Sequence, residues 1–350
     1  MSEPGPTHSV RPWLAGDELE LTRLFEQVFG RVITEEHWRW KLRPRPHAFD
    51  NVWVAISDHR PVFQYAGIPV RFKIDNRLHA VMVSVDTMTA PEFRRRGLLT
   101  QVAQQAYSSW RSAGAAFVIG LPNENWGRRT QALGWRLLFP FQWLVRPLRP
   151  EAILARLSRL PALNRAKMLG SVWNAVLRAR LRPAGDIVPE QAREADSTFD
   201  HIWEHCKSDW TFCTVRDRDW VQWRFFSAPS RKYEVTVARR NGAPTGYLSC
   251  ATLPGGLSAC LAELYARRGD VDTRNTLLAD LIQRLRQTQL QSLYTLAIPG
   301  TPEFTWLRRA GFFPRHAFEV QYVPLQADLP LERMADRQQW NLTAADFDVV

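Results

Sequence analysis

The chain has 350 residues, with 46 Lys and Arg against 35 Asp and Glu, a formal charge of +11. Roughly 100–200 residues per domain makes this a two-domain length. A chain that is 45% hydrophobic and 23% charged is a folded one, which excludes disordered and collagen-like chains. No apolar run reaches the roughly 18–20 residues of a bilayer span, so a polytopic membrane protein is excluded too. The most apolar stretch, 133–148, is broken by Arg136 and Arg146. The N-terminus, Met-Ser-Glu-Pro-Gly-Pro, lacks a basic stretch ahead of an apolar one, so no signal peptide is expected. Cys206, Cys213, Cys250 and Cys260 form no Cys-x-x-Cys pair, which argues against a disulfide framework or a thiolate zinc site. Free thiols in a reducing cytoplasm are the expectation.

In chain order, 17–29 reads as a helix with Leu21, Leu24, Phe25 and Val28 on one face. Strands follow at 51–56, 62–70 and 77–89, the last with Val81, Val83 and Val85 alternating. A helix over 97–113, a short buried strand over 115–121, a short helix over 125–133 and a strand over 139–146 complete the first half. Residues 151–182 combine helically spaced apolar residues with seven basic ones, as a basic amphipathic connector would. Packing between domains, contact with a membrane surface or docking of an acidic partner are its open readings. In the second half 261–265 reads as a strand and 276–286 as a helix. The net charge is +7 over 1–150, +4 over 151–190 and zero over 191–350, a distribution that makes nucleic acid an unlikely partner.

An internal repeat is visible. Trp40 and Ala55 are 15 apart, as are Trp223 and Ala238. Leu121-Pro122-Asn123 leads to Leu133-Gly134-Trp135 as Ile298-Pro299-Gly300 leads to Ala310-Gly311-Phe312, at an offset of 177. The predicted organisation is one domain over 1–150, the connector over 151–190 and a second domain over 191–350. The fold class is mixed α/β, a mainly antiparallel sheet flanked by helices, used twice.

The chemistry sits in Val83-Ser-Val-Asp-Thr-Met-Thr-Ala-Pro-Glu-Phe-Arg-Arg-Arg-Gly-Leu-Leu-Thr100. A strand ends at Thr89, Pro91 lies in a turn, and a helix starts near Gly97. A glycine there lets a phosphate approach the backbone. The free N–H groups of the first turn point at that anion, and Arg94, Arg95 and Arg96 add full charges. The Gly-x-x-x-x-Gly-Lys pattern is absent, so a nucleoside triphosphatase is excluded.

This segment resembles the acetyl-CoA motif of the GNAT superfamily, the Gcn5-related N-acetyltransferases, whose pattern is Arg/Gln-x-x-Gly-x-Gly/Ala. Arg94 and Gly97 match it and Leu99 departs from it. The resemblance implies acetyl-CoA, or another acyl-CoA, as cofactor. It implies that the backbone of Thr87, Met88 and Thr89 pairs with the pantetheine arm. The amides of Arg95, Arg96, Gly97, Leu98, Leu99 and Thr100 would hold the pyrophosphate, and Asn123, 11 residues before Gly134, would contact the cofactor. The same position also suits a helix N-cap. With the 177 offset, Arg94 and Gly97 fall on Val271 and Arg274, so only the first copy is expected to hold CoA.

Acyl transfer to an amine needs a base, a donor to the acyl carbonyl and an acid for the leaving thiolate. Asp86 and Glu124 are the candidate bases. The family's usual acid, a Tyr, is Thr130 here, leaving Tyr107 and Tyr265 as candidates by residue type. Asp346 and Asp348, near the end of the chain, would attract an amine if the tail entered the acceptor site. The leading expectation is a cytoplasmic acyl-CoA-dependent N-acyltransferase acting on a small amine, such as an amino sugar or a natural-product or polysaccharide precursor. An acyl carrier protein docking on the basic connector would be a variant donor. The alternatives are a FemABX-like transferase using aminoacyl-tRNA and a non-catalytic CoA-binding module.

Overall fold

The computed structural model describes residues 8–42, 49–122, 126, 129–149 and 180–347; Asn123, Glu124, Asp348 and connector residues 151–179 lie outside these. The chain forms two compact units, 1–139 with 319–335 and 140–318 with 336–350.

The first unit begins with β1 (Ser9–Pro12), α1 (Glu18–Phe29) and α2 (Glu35–Leu42). A meander follows: β2 (Val52–Ser57), β3 (Arg60–Ile74) and β4 (Arg77–Thr89). The turn between β3 and β4 uses Asp75 at φ 56, a left-handed position that Asp tolerates. Almost all of β3 is buried, because both its faces are covered. Gln64 bonds to Trp38 of α2, and its neighbour Tyr65 bonds to Tyr107 of α3 (Leu98–Ser112). Consecutive strand residues point to opposite faces, so α2 and α3 flank the sheet on opposite sides. Then come β5 (Ala115–Gly120), α4 (Arg129–Ala132) and β6 (Arg136–Pro147). The sheet runs β1-β2-β3-β4-β5, antiparallel except for β4 with β5, which the α3 crossover makes parallel.

The second unit contains β7 (Ile187–Ala192), α5 (Ser197–Cys206), β8 (Phe212–Thr214), α6 (Arg218–Val221), β9 (Tyr233–Arg240), β10 (Ala243–Thr252) and β11 (Ser258–Ala266). It continues with α7 (Val271–Arg286), β12 (Ser292–Ala297), α8 (Pro302–Arg309) and β13 (Phe313–Pro324). After α9 (Leu331–Met334) in the first unit, β14 (Trp340–Asn341) returns to the second and pairs in parallel with β8. Its sheet order is β6-β12-β11-β10-β9-β7, with β11 and β12 parallel across α7. Leu277, Leu278, Leu281 and Ile282 of α7 pack on Leu248, Leu261 and Leu293 to form its core.

The units do not follow the halves of the sequence. The far neighbour of β5 is residues 321–324, from the end of β13, and the far neighbour of β12 is residues 142–147 of β6. Each sheet therefore takes a strand from the other half of the chain. A strand's hydrophobic pattern shows that it will pair without showing with which sheet, and sequential adjacency is only the commoner outcome.

Candidate functional site

The site of the first unit is built where β4 and β5 part. Their parallel register runs to Val83 with Ile119, and beyond it Met88 and Thr89 pair only with β3 in the register, opposite Gln64 and Phe63. The edge of β4 that faces β5 thus leaves its ladder over Asp86–Thr89. Here β4 also carries one extra residue, since Gln64 faces Met88 while Ala66 faces Val85. This bulge re-aims the strand, and Asp86 within it adopts φ 45.

The bulge is pinned from the α2 side. Trp38, Lys41 and Leu42 lie three and four residues apart, on the buried stripe of α2. Trp38 donates its indole N–H to Gln64 Oε1 at 3.2 Å, and Gln64 Nε2 donates to the Asp86 carbonyl at 3.1 Å. Lys41 Nζ meets Asp86 Oδ2 at 2.6 Å, with side chains 3% and 6% exposed. The expected base is therefore already engaged in a buried ion pair, and to take a proton from a substrate it would have to release or share Lys41. Removing one partner of such a pair strands the other charge.

On the α3 side lies an aromatic cluster. Tyr65 and Tyr107 hydroxyls are 2.9 Å apart, and Trp135 Nε1 donates to Tyr107 at 3.0 Å. A Cβ on Gly120 would come within 3.2 Å of Trp135 and 3.4 Å of Ser84, so any larger residue would press on the Trp135 ring. Burial pushes the Tyr65 phenol up to about 12 and Tyr107 well above its ordinary value. Tyr107, named as an acid by residue type, is thus a deeply buried phenol at the base of the parting strands. Tyr265 lies in the core of the second unit, stacked on Trp210.

Past β4 a single turn, Pro91–Phe93, leads to Arg94, Arg95 and Arg96, all exposed, with the Arg96 guanidinium 4.9 Å from the Phe93 ring. Arg95 has φ 64 and Gly97 φ 80, two left-handed residues within three. A Cβ on Gly97 would meet nothing within 4 Å, so the space before it is open. Gly97 caps α3 with no side chain on the free amides, and the first turn has no acidic residue. Leu98, Leu99 and Thr100 supply those amides, while Leu98, Val102, Ala103, Ala106 and Trp110 seat the helix. The structure thus brings together Asp86, Thr87–Thr89 and Arg94–Thr100 as one stretch running from bulge to helix.

The tail residue Asp346 goes elsewhere. It is buried in the second unit, with Arg216 NH2 donating to its Oδ2 at 2.6 Å. It also closes a capping box with Thr343. Arg216 in turn meets Glu263 at 2.8 Å, and Tyr247 donates to Glu263 at 2.6 Å. Burial works against the Arg216 charge, yet Asp346 and Glu263 outweigh it and hold the guanidinium above its ordinary value. A carboxylate so engaged is part of a buried core network of the second unit.

Lys41, Tyr65 and Trp135 were not found as site residues from sequence. The helical spacing of Trp38, Lys41 and Leu42 is the signal in the sequence that would place Lys41. Among the described residues no cluster of His, Cys, Asp and Glu could hold a metal, and no helix is long and apolar enough to cross a membrane.

Residues 9–138 match the family model described as an acetyltransferase (GNAT) domain. No curated protein matches the chain by sequence. Among solved structures, the chain is similar to a conserved protein of unknown function from Enterococcus faecalis V583, described as a probable N-acyltransferase (TM-score 0.66, 11% identity, 91% of this chain and 73% of that one). A GCN5-related N-acetyltransferase from Anabaena variabilis ATCC 29413 gives a TM-score of 0.64 at 10% identity, over 91% and 73% of the two chains. One from Kribbella flavida gives 0.63 at 11%, over 91% and 71%. At these identities the likeness is one of fold: the chain has the GNAT fold, with a GNAT acetyltransferase domain matched over 9–138.

Proposed function

We propose that the first unit is an acyl-CoA-dependent N-acyltransferase, most simply an N-acetyltransferase, acting on the amine of a small molecule. The observation that carries this is the open, uncapped N-terminus of α3 behind Gly97, set directly after a bulged strand edge that has left its neighbour. A pyrophosphate fits that position, where first-turn amides and a helix dipole face an unfilled space beside three arginines. The amides of Arg95 to Thr100 would hold it, with Arg94 adding charge. The backbone of Thr87, Met88 and Thr89 would receive the pantetheine arm as an added strand.

When bound, the cofactor supplies an activated thioester. The chain's own residues position it and polarise it. The bulge turns a backbone N–H of the Asp86–Met88 stretch out of the ladder, where it can donate to the acyl oxygen. Asp86, held by Lys41, Gln64 and the left-handed turn, fixes that geometry, and we assign it a positioning role alongside its candidacy as base. Glu124 remains the other candidate for the base, Asn123 for cofactor contact and Asp348 for the substrate side.

We further read the two units as copies of one fold, of which only the first holds CoA. The residues Gln64 and Met88 face each other as Tyr247 and Tyr265 do, and a register shift follows on each strand. Asp86 and Glu263 are 177 apart, and each is paired with a buried cation. At the start of α7, however, the Asp270 carboxylate accepts from Thr273 N–H at 3.0 Å, taking the place an anion would need.

Calorimetric titration with acetyl-CoA and CoA tests the reading. Saturable binding to the wild type and its loss in Gly97→Asp, which adds a strained side chain and a negative charge at the cradle, is the expected pair of results. Release of CoA thiol on adding an amine panel then reports transfer; binding without release from any amine would reduce the unit to a binding module.

A further inference from the structure

The second unit holds a cavity that the proposed acyl transfer does not use. The parallel register of β11 and β12 ends at Cys260 with Tyr294. Beyond it the strands separate around a notch walled by Trp306, Trp340, Leu296 and Leu342, with room of about 60 Å³ for the centres of water-sized molecules. Asn341 lines it, is only 7% exposed, and its side-chain oxygen accepts no hydrogen bond among the described residues.

A second, wider groove adjoins the notch, with Arg180, Arg268, Arg274 and Arg309 along it and room of about 530 Å³ by the same measure. Arg274, Thr301 and Trp306 line both spaces. One carboxylate, Glu303, serves both Arg268 and Arg274, and Arg180 and Arg309 are exposed, so the groove keeps an excess of positive charge. The Arg274 side chain is 5% exposed, which places a nearly desolvated guanidinium at the mouth of the apolar notch. The nearby helix start cannot serve an anion as α3 does, because Asp270 caps it. Any anion here is held by side chains.

We propose that this is a binding site for a small amphipathic anion: a short apolar body in the notch and a carboxylate or phosphate held by Arg274 with Arg309. The apolar walls alone would admit any hydrophobe, and the arginines alone any anion. Their junction at Arg274 selects molecules with both parts a few ångströms apart. The segment Trp340–Thr343 forms one wall of the notch and so limits the body to small groups.

The test uses the full chain and four probes in calorimetric titration. Phenylacetate and phenyl phosphate carry both parts, with the two head groups. The cresol 4-methylphenol lacks the anion, and inorganic phosphate lacks the body. The expected result is that at least one two-part probe binds on the order of tenfold more tightly than either single-part probe. The tighter of the two identifies the head group. Ala262→Leu, which fills the notch, should abolish the advantage, and the exposed Arg309→Gln should weaken it severalfold without touching the core. Gly97→Asp should leave it unchanged, which separates this site from the first unit's. Two-part probes binding no better than inorganic phosphate would overturn the proposal, as would loss of their binding in Gly97→Asp or full retention of it in Arg309→Gln.

Discussion

Lys41 and Asp86 show how a charged residue on a buried stripe is made tolerable. The helical spacing of α2 turns Lys41 inward with Trp38 and Leu42, and the bulge in β4 delivers the carboxylate that neutralises it. Lys41→Met should therefore destabilise the fold by about 3–5 kcal/mol, since it removes the cation from a buried ion pair. Adding Asp86→Asn should recover part of this, which chemical denaturation of the single and double variants would show as a coupling of about 1 kcal/mol or more. A sum of independent losses would mean that the pair does not hold the bulge. Tyr65 behaves differently. Its folded phenol, pushed up to about 12 against an ordinary 10, favours the folded state fully below pH about 10 and loses that contribution as pH rises through about 12. Phenolate absorbance and circular dichroism should accordingly move together across that window, with the buried tyrosines ionising only as the fold opens. Sequence spacing made the start of α3 behind Arg94–Gly97 visible because a helix start is a local feature. It did not reveal the Lys41–Asp86 pair, because that contact depends on a bulge two strands away from α2.

On the proposed reading of two copies of one fold, helices α3 and α7 are matched elements, and they start differently. The first starts at a glycine with no carboxylate on its amides; the second starts at Asp270, whose side chain accepts from both the N–H and the hydroxyl of Thr273. Burial opposes the Asp270 charge, but Thr273 and Arg240 outweigh it and hold its carboxyl below the ordinary range. Such a lowered group stabilises the fold above its unfolded value, near pH 4, and ceases to as pH falls through the folded one. Asp270→Ala should cost about 0.5–2 kcal/mol near neutrality. Thermal melts should show the variant and wild type converging in acid; a constant difference down to the lowest pH would remove the cap as its cause. Most elements could be read from periodicity: β4 over 77–89 matches the observed strand, and 115–121 is one residue longer than observed β5. Helix α2 was missed because its eight residues include five charged or polar ones, and Trp38, Lys41 and Leu42 do not look like an apolar face until Lys41 has a partner.

At the scale of the molecule, the exchange of strands means that each compact unit draws on both halves of the sequence. A fragment of residues 1–150 contains the whole proposed CoA motif yet lacks residues 319–335, whose strand completes the sheet beside β5. That fragment alone should show no cooperative thermal transition, and co-expression with 151–350 should restore one. A fragment melting as sharply as the full chain would show that the β13 strand is dispensable. The repeat in the sequence pointed to two similar folds; it could not show which strand closes which sheet, because both candidates carry the same alternation.

The same exchange sets an order in time. During synthesis the edge of β5, every residue of which is buried in the finished fold, emerges about 200 residues before its partner strand. At roughly 5–20 residues per second the ribosome needs on the order of 10–40 s to cover that gap. Throughout it the far edge of β5 waits unpaired, a template for association with other nascent chains. Yield in a cell should thus depend on chaperones that shield such edges more than on the stability of the completed protein.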